Sequence, residues 1–192
     1  MKNFLFVCTG NTCRSPMAEA LLRAKAVDQI SVRSAGVFAV DGSSAAGEAV
    51  QALSEKGIDF QGHMSRRLDG ELARWADVIL TMTENHKRSV QSQFPETAGR
   101  VYTLREYSDD DQKAKQALRD LESCYAELEI QRSLSHHEEV GALEEKIAAL
   151  EKALPSHDIS DPFGGNAGDY RAVCEEIEHW IDLLVRKEGA GD

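Results

Sequence analysis

Residues 4–16 read Phe4-Leu5-Phe6-Val7-Cys8-Thr9-Gly10-Asn11-Thr12-Cys13-Arg14-Ser15-Pro16. The four apolar residues at the start predict a buried β-strand. Ser15 and Pro16 predict the start of a helix, because serine is a good N-cap and the missing N–H of proline has no partner in the first turn. The loop between these elements has five residues between Cys8 and Arg14. A thiol, a charged guanidinium and a helix N-terminus around one loop describe a pocket for a tetrahedral oxyanion.

The loop residues suit an anion site individually. Loop and first-turn N–H groups favour a negative charge, so we expect the anion-binding residues to be Thr9, Gly10, Asn11, Thr12, Cys13, Arg14 and Ser15. The same positive field favours the thiolate of Cys8, which makes Cys8 the candidate nucleophile. We expect Ser15 to donate to that sulfur. We also expect Gly10 to adopt backbone angles closed to other residues, and Asn11 to adopt a left-handed conformation and tie the loop with its side chain.

Strand patterns alternate with helical patterns along most of the chain. After the strand at residues 3–7, the pattern predicts strands at 31–34, 77–81 and 100–104, and helices at 46–56, 67–75 and 83–93. This alternation indicates an α/β fold with a mainly parallel sheet and helices on both faces. Ligands bind at the carboxyl ends of strands in such sheets, which is where the Cys8 loop lies. A final helix is expected to pack on the sheet through Tyr170, Val173, Ile177, Trp180 and Leu184.

Composition narrows the class of protein. A chain of 192 residues with 42% hydrophobic residues can form one core, or one core with an appendage. The net charge of -11 argues against a nucleic-acid partner, which requires a basic surface. No apolar run is long enough to cross a membrane, and Met1-Lys2-Asn3 leads into a strand rather than a signal peptide, so we expect a cytoplasmic protein without membrane association. Four cysteines, two of them in one loop, do not suggest a disulfide scaffold.

Residues 109–157 differ in character from the rest of the domain, which we take to be a single unit over residues 1–192. This segment contains twelve acidic and six basic side chains. Two apolar stripes have coiled-coil spacing, formed by Leu118, Leu121, Tyr125 and Leu128 and by Leu143, Ile147, Leu150 and Leu154. The pattern predicts an inserted antiparallel helical hairpin with its turn near 133–137. The alternative is a solvated charged insertion that folds back weakly.

A thiolate that attacks phosphorus forms a phosphocysteine, and the leaving group then needs a proton. Asp161 is the candidate acid, because the turn sequence Ser160-Asp161-Pro162-Phe163-Gly164-Gly165 can hold a carboxyl group over the pocket. Asp158 is its main competitor. The histidines show no ligand spacing with cysteines or carboxylates, so we expect no metal and no other cofactor.

Taken together, these motifs resemble the low-molecular-weight protein tyrosine phosphatase family. The resemblance rests on residues 7–20, Arg33-Ser34-Ala35-Gly36, residues 76–82 and Asp161-Pro162-Phe163. It implies Cys8 as nucleophile, Arg14 as phosphate and transition-state clamp, and Asp161 as general acid and then base for water. It further implies that Asn11 and Ser34 brace the loop and that the sheet has the strand order 2-1-3-4, and it allows a contact of His63 with the loop region.

Thr12 bears on the substrate. Tyrosine-specific members of the family commonly carry a bulky aliphatic residue there, whereas the bacterial protein-arginine phosphatases carry threonine, and Asp161-Pro162-Phe163-Gly164-Gly165 also resembles that branch. A threonine makes the pocket floor more polar and suits a hydrated guanidino group, where an aliphatic residue would favour an aromatic ring. We therefore expect phosphorylated protein substrates, with phosphoarginine preferred to phosphotyrosine. Phe38 and Phe163 either wall the pocket entrance or pack in an ordinary way.

Three further hypotheses remain open at this level. Cys13 either forms a protective disulfide with Cys8 or is a small packed side chain. Arsenate reductases share the fold and loop but need further cysteines, and here Cys124 and Cys174 are fifty residues apart. A binding module is the other alternative, with the hairpin as its working part. Within a phosphatase, the hairpin could position Asp161, form a homo-oligomer, or recruit substrate or another partner.

Overall fold

The computed structural model describes residues 2–25, 30–109, 112–134, 137–153 and 156–189. It divides the chain into two compact units, one formed by Met1–Asp109 with His157–Asp192 and the other by Asp110–Ser156. Within the described ranges, none of the helices combines the length and apolar character needed to cross a bilayer.

A four-stranded parallel sheet forms the centre of the first unit. Its strands are β1 (Lys2–Cys8), β2 (Ile30–Gly36), β3 (Val78–Thr81) and β4 (Val101–Thr103), in the order β2-β1-β3-β4. The predicted α/β fold and strand order are therefore confirmed. β1 pairs with both β2 and β3, so Cys8 lies at the carboxyl end of a central strand, opposite Gly36.

Helices surround this sheet and make up the second unit. In chain order they are α1 (Arg14–Ala24), α2 (Gly47–Glu55), α3 (Gly70–Trp75), α4 (Glu84–Gln93), α5 (Leu104–Ser108), α6 (Gln112–Ser133), α7 (His137–Ala153) and α8 (Ala167–Gly189). Threonine caps fix the starts of α4 and α5. Thr83 accepts the His86 N–H, and Thr103 with Glu106 forms a capping box.

Two hydrophobic cores lie on opposite faces of the sheet, because successive side chains of a strand point in opposite directions. Phe4 and Phe6 belong to the core that includes the buried residues of α1, α2 and α8, whereas Leu5 and Val7 belong to the core that includes α3 and α4. α8 buries Tyr170, Val173, Cys174, Ile177, Ile181 and Leu184, with Trp180 partly buried beside them. The predicted face of the last helix is thus on the core, where α8 packs with α1, the helix that follows the Cys8 loop.

The start of α1 differs from the prediction. The helix begins at Arg14, its N-cap position is Cys13, and no side chain caps it. Ser15 is therefore not the N-cap. Its hydroxyl lies in the loop instead, where it contacts Cys8 Sγ, Asn11 Nδ2 and the Ala35 carbonyl. Pro16 still falls in the first turn, where the absent N–H costs no helical hydrogen bond. Val27, which the pattern places in this helix, lies outside the described residues.

In the second unit, α6 and α7 pack against each other in antiparallel fashion. Arg132 pairs with Glu144 at 2.9 Å, and the Tyr125 hydroxyl donates to Glu151 at 2.5 Å, so residues later in α6 meet residues earlier in α7. The core of this unit consists of Cys124, Leu128 and Ile147, with Leu121, Val140, Leu143 and Leu150 partly buried around it.

Tyr125 does not belong to the seam in which the sequence pattern puts it. It is 44% exposed, whereas Cys124 is 3% exposed and takes the core position. Leu121, Cys124 and Leu128 keep the spacing of three and four residues, so a small thiol fits where the pattern favours the larger ring. Leu154 and His136 lie outside the described residues, as does the side chain of Leu118.

Candidate active site

Cys8 ends β1, and its sulfur lies within hydrogen-bond distance of two polar groups. The residue is 3% exposed, and its Sγ lies 3.0 Å from Ser15 Oγ and 3.3 Å from the main-chain nitrogen of Asn11. The Ser15 proton has two acceptors, Cys8 Sγ and the Ala35 carbonyl at 3.3 Å, and the contact with sulfur is the shorter. Both the Ser15 hydroxyl and the Asn11 N–H can donate to a thiolate, which accepts hydrogen bonds better than a thiol does.

Asn11 braces the loop from inside. Its φ is 55°, the left-handed region that asparagine tolerates, and the residue is fully buried. The side-chain Nδ2 donates to Ser34 Oγ at 2.8 Å and Ser15 Oγ at 3.0 Å, while Oδ1 accepts the Arg66 N–H at 2.8 Å. Every polar atom of this buried amide therefore has a partner, which fixes the shape of the loop.

Ser34 extends this network to a buried charge. Its hydroxyl donates to the Glu19 carboxylate, and Glu19 is 6% exposed. The second oxygen of that carboxylate pairs with Arg23 at 2.6 Å. Ser34 is thus a support of the loop from behind and does not line the cavity in front of Cys8.

The glycine that the loop needs is Gly36 rather than Gly10. Gly10 is absent from the described residues with positive φ, and a Cβ at Gly10 would meet only Thr12 Oγ1 at 3.5 Å. A Cβ at Gly36 would lie 2.5 Å from the Thr9 carbonyl oxygen and 2.9 Å from the Asn11 nitrogen. The expectation of unusual angles at Gly10 was wrong, because Asn11 makes the left-handed turn while β2 approaches the loop closely at Gly36.

Two ring side chains reach the loop from distant segments. His63 Nε2 donates to the Asn11 carbonyl at 2.9 Å, and its ring stacks on Phe60 with centroids 5.1 Å apart. The contact of His63 with the loop, which the family resemblance allows, is therefore present. On the other side, the Tyr170 hydroxyl lies 3.4 Å from Cys13 Sγ. Burial and the neighbouring Cys13 raise the pKa of Tyr170, so this phenol stays neutral.

Arg14 and Asp161 meet across the cavity. Arg14 is 5% exposed, and its NH2 lies 2.8 Å from Asp161 Oδ2, while NH1 donates to the Ile159 carbonyl at 3.3 Å. The Asp161 side chain is 54% exposed, and its other oxygen accepts the Phe163 N–H at 3.2 Å. The turn at 160–165 thus holds this carboxylate beside the guanidinium, about 150 residues along the chain from Cys8.

A cavity of about 300 Å³ opens in front of the sulfur. Its lining residues are Cys8, Thr9, Gly10, Thr12, Cys13, Arg14, Asp161 and Phe163. A second cavity of about 500 Å³ shares Thr9, Arg14 and Asp161 with the first and also contacts Phe38. Phe163 is 80% exposed and Phe38 is 65% exposed, so neither ring is packed in a core.

Asp158, the competitor for the role of acid, has a different position. Its Oδ1 accepts the Glu84 N–H at 2.8 Å, so it contacts the N-terminus of α4. It lines the second cavity but not the cavity in front of Cys8. Geometry therefore favours Asp161 over Asp158 as the carboxyl group near a reacting phosphorus.

His86 belongs to this site, and the sequence reasoning missed it. The residue is 8% exposed, and its Nε2 lies 2.8 Å from Thr9 Oγ1. Only the position of His86 just after β3 could have indicated that it lies near the Cys8 loop, because the carboxyl ends of neighbouring parallel strands meet at the same edge of the sheet. Among the described residues, no three His, Cys, Asp or Glu side chains cluster in a way that could hold a metal ion.

A single loop at the end of a parallel strand brings together a buried cysteine with two polar neighbours, a buried arginine and an aspartate. This arrangement defines a cysteine-dependent phosphatase. Residues 3–154 match the sequence profile of the family described as low molecular weight phosphotyrosine protein phosphatase. The chain belongs to this family.

Individual relatives refine this comparison. A Protein-arginine-phosphatase of Bacillus subtilis is 49% identical over 189 residues, which cover 96% of this chain and 95% of that protein. The structure of the YwlE arginine phosphatase from Geobacillus stearothermophilus superposes with a TM-score of 0.74 at 35% identity, covering 99% of this chain and 94% of that chain. Another YwlE arginine phosphatase structure has its active-site cysteine replaced by a serine that is phosphorylated. It superposes with a TM-score of 0.70 at 33% identity and covers 96% of this chain and 94% of that chain.

Proposed function

We propose that this phosphatase removes the phosphoryl group from phosphoarginine side chains of proteins. The observation that carries the proposal is the cavity in front of Cys8, which has Thr12 in its lining beside Arg14 and Asp161. A hydroxyl at this position suits a planar, hydrated guanidino group better than an aromatic ring. The names of the three relatives described above, all of which are called arginine phosphatases, support the same substrate.

In the proposed mechanism, the Cys8 thiolate attacks phosphorus and forms an S–P bond while the P–N bond to the guanidino group breaks. The leaving nitrogen takes a proton from Asp161. Asp161, now ionised, then removes a proton from a water molecule that attacks the phosphocysteine, which releases phosphate and restores the thiolate. Arg14 and the N–H groups of residues 9–15 hold the phosphoryl oxygens, whose charge is spread over three positions in the transition state.

The supporting residues have separate parts in this proposal. Asn11 and Ser34 keep the loop in its anion-binding shape, and Ser15 stabilises the thiolate at rest and as the second leaving group. Phe163, at the mouth of the first cavity, and Phe38, in the second, would contact the substrate chain around the modified residue.

The proposal is tested by comparing turnover of phosphoarginine, phosphotyrosine and phosphoserine peptides with the same flanking sequence. We expect kcat/KM to be highest for phosphoarginine. In Thr12→Ile, the larger apolar side chain should shift the ratio of kcat/KM for phosphoarginine to phosphotyrosine downward by about tenfold or more, as one lost polar contact allows. Thr12→Ser, which keeps the hydroxyl, is the matched control and should retain the wild-type ratio. An unchanged ratio in Thr12→Ile would remove the specificity role of Thr12.

Phosphotyrosine is the second candidate substrate, since the family profile that matches residues 3–154 is described by that activity. A higher kcat/KM for the phosphotyrosine peptide in the wild-type chain would favour it and contradict the first proposal.

We also propose that Cys8 and Cys13 form a reversible disulfide under oxidation, which would protect the nucleophile from irreversible sulfinic acid formation. Both residues are free thiols and line the same cavity, and Cys13 is held there by Tyr170. A thiolate nucleophile needs a compartment in which thiols stay reduced, which supports the cytoplasm as the site of action.

We propose that the helical unit binds a second copy of the chain or another protein through its exposed apolar side chains. Ile130 is 58% exposed and Leu134 is 55% exposed, and the two residues lie four positions apart at the C-terminal end of α6. If a second copy is the partner, light scattering during size exclusion should give a dimer mass for the full chain and a monomer mass when a short linker replaces residues 110–156. Equal association states of the two chains would exclude self-association through this unit.

A further inference from the structure

His86 connects α4 to the active-site loop through both ring nitrogens. Nε2 lies 2.8 Å from Thr9 Oγ1, and Nδ1 lies 2.8 Å from Thr83 Oγ1. Thr83 is the N-cap of α4, and its oxygen also accepts the main-chain N–H of His86 at 3.2 Å. The ring therefore lies between two hydroxyl groups, one in the helix cap and one in the loop that carries Cys8.

The number of protons decides the direction of each hydrogen bond. A hydroxyl has one proton, and a neutral imidazole has one donor nitrogen and one acceptor nitrogen. Thr83 already accepts one N–H, so its own proton is available for Nδ1. With Nδ1 as acceptor, Nε2 carries the proton and donates to Thr9 Oγ1. The Thr9 hydroxyl proton is then free for another acceptor.

The opposite arrangement is unfavourable for an anion site. If Nδ1 carried the proton, Thr83 Oγ1 would accept hydrogen bonds from both Nδ1 and the His86 main-chain N–H, and the Thr83 hydroxyl proton would lose Nδ1 as its acceptor. The Thr9 hydroxyl would then donate its proton to Nε2. The lone pairs of Thr9 would then face the cavities. Both cavities are lined by Thr9 and by the Arg14 guanidinium, and lone pairs there would repel phosphoryl oxygens.

The buried surroundings of His86 keep the ring neutral. Burial and Arg14 of α1 lower its pKa to about 4, although Asp158 and Asp161, in the segment before α8, act in the other direction. Glu84, on the same helix as His86, lies near His157, with 3.8 Å between Glu84 Oε1 and His157 Nδ1. Because the pKa lies below the usual value, the charged ring is populated only in acid, and the neutral tautomer is present at neutral pH.

We propose that His86 is a positioning residue that directs the Thr9 hydroxyl proton toward the phosphoryl group, so that Thr9 acts as a substrate hydrogen-bond donor beside Arg14. This rests on the proposed phosphoryl chemistry at Cys8, but it does not depend on whether arginine or tyrosine carries the phosphate. The specificity of the site is then set at Thr12, on the floor of the pocket, and part of its affinity for the phosphoryl group is set at Thr9.

The test uses the full chain with para-nitrophenyl phosphate, for which any phosphatase of this class needs only the phosphoryl site. We expect Thr9→Val and His86→Leu each to lower kcat/KM by about tenfold, the size of one hydrogen bond to a charged group. Because the two residues act as a unit, the double variant should lose about tenfold, not about a hundredfold. Thr9→Ser and His86→Gln keep the donors and should restore most of the activity. His179→Leu, at an exposed histidine of α8 beside Trp180, is the matched control and should keep the wild-type rate.

A readout on the unmodified protein accompanies these rates. Nitrogen-15 NMR of the imidazole should show Nδ1 unprotonated and Nε2 protonated between about pH 6 and pH 8. The opposite tautomer would overturn the proposal even if the His86 variants do not fold. Additive losses in the double variant, or full activity of Thr9→Val, would overturn it as well. A failure of the phosphoarginine proposal would appear instead in the peptide comparison, with hydrolysis of para-nitrophenyl phosphate still dependent on Cys8.

Discussion

Replacing Cys8 with serine is expected to reduce turnover of every phosphorylated substrate by about 10⁴-fold or more, the scale seen when a covalent nucleophile is removed. Serine has the size to fit, but its hydroxyl is not ionised at neutral pH and the site provides no histidine within reach of Cys8 Sγ among the contacts of the described residues. The Ser15 hydroxyl and the Asn11 N–H lie where they can stabilise a thiolate, and a serine at position 8 has no thiol to ionise.

The Cys8→Ser variant should also accumulate a phosphoserine analogue of the phosphocysteine intermediate. In the relative whose active-site cysteine is a serine, that serine is phosphorylated. Intact-mass measurement of Cys8→Ser after incubation with substrate should therefore show a slow gain of one phosphoryl group, because phosphoserine is a poorer phosphoryl donor to water than phosphocysteine. Binding of inorganic phosphate should remain, since Arg14 and the loop are unchanged.

Cys124→Ser is a suitable control for this experiment. Cys124 is as buried as Cys8, at 3% exposed, but lies in the core of the helical unit. Its replacement can cost stability without touching the chemistry. Covalent catalysis at Cys8 would be contradicted if Cys8→Ser turned over substrate within tenfold of the wild-type rate while Cys124→Ser matched the wild type.

Local sequence determined much of the site. The loop from Cys8 to Arg14 lies between a strand and a helix that are adjacent in the chain, so their residues alone indicate the anion pocket. Asp161 could also be selected, because its turn sequence resembles the family motif. The structural roles predicted for two residues of this segment were wrong: Ser15 does not cap the helix, and Gly10 does not adopt the unusual backbone angles.

The missed features depend on contacts between segments far apart in the chain. Gly36 matters because a Cβ there would lie 2.5 Å from the Thr9 carbonyl oxygen, a close approach that no local pattern reveals. His86 matters because parallel β1 and β3 end side by side. In the helical unit, a spacing of three and four residues fits both Cys124 and Tyr125, and the choice between them is made by packing against α7.

Replacing Asp161 with asparagine is expected to lower kcat/KM by about 10² to 10⁴ for substrates with poor leaving groups, the usual contribution of a general acid. Phosphoarginine falls in this group, because an unprotonated guanidino nitrogen is a very weak leaving group. Phenyl phosphate should behave similarly. With 2,4-dinitrophenyl phosphate, whose leaving group needs no proton, the loss should be below about tenfold.

The affinity of the same variant should change in the opposite direction. The Asp161 carboxylate lies 2.8 Å from Arg14 and carries the same sign of charge as the phosphoryl group. Removing that charge leaves Arg14 without a competing anion, so inorganic phosphate should bind at least as tightly to Asp161→Asn as to the wild-type chain. A lower rate with unchanged or improved binding separates a lost acid from a damaged pocket.

Asp158→Asn is the matched control, since it removes the same charge three residues away. Its Oδ1 accepts the Glu84 N–H, and asparagine serves that role about as well as aspartate, so α4 should keep its start. We expect the leaving-group dependence of Asp158→Asn to match the wild type. If the steep dependence appeared in Asp158→Asn and not in Asp161→Asn, the acid would be Asp158, and the Arg14–Asp161 pair would serve only to close the cavity.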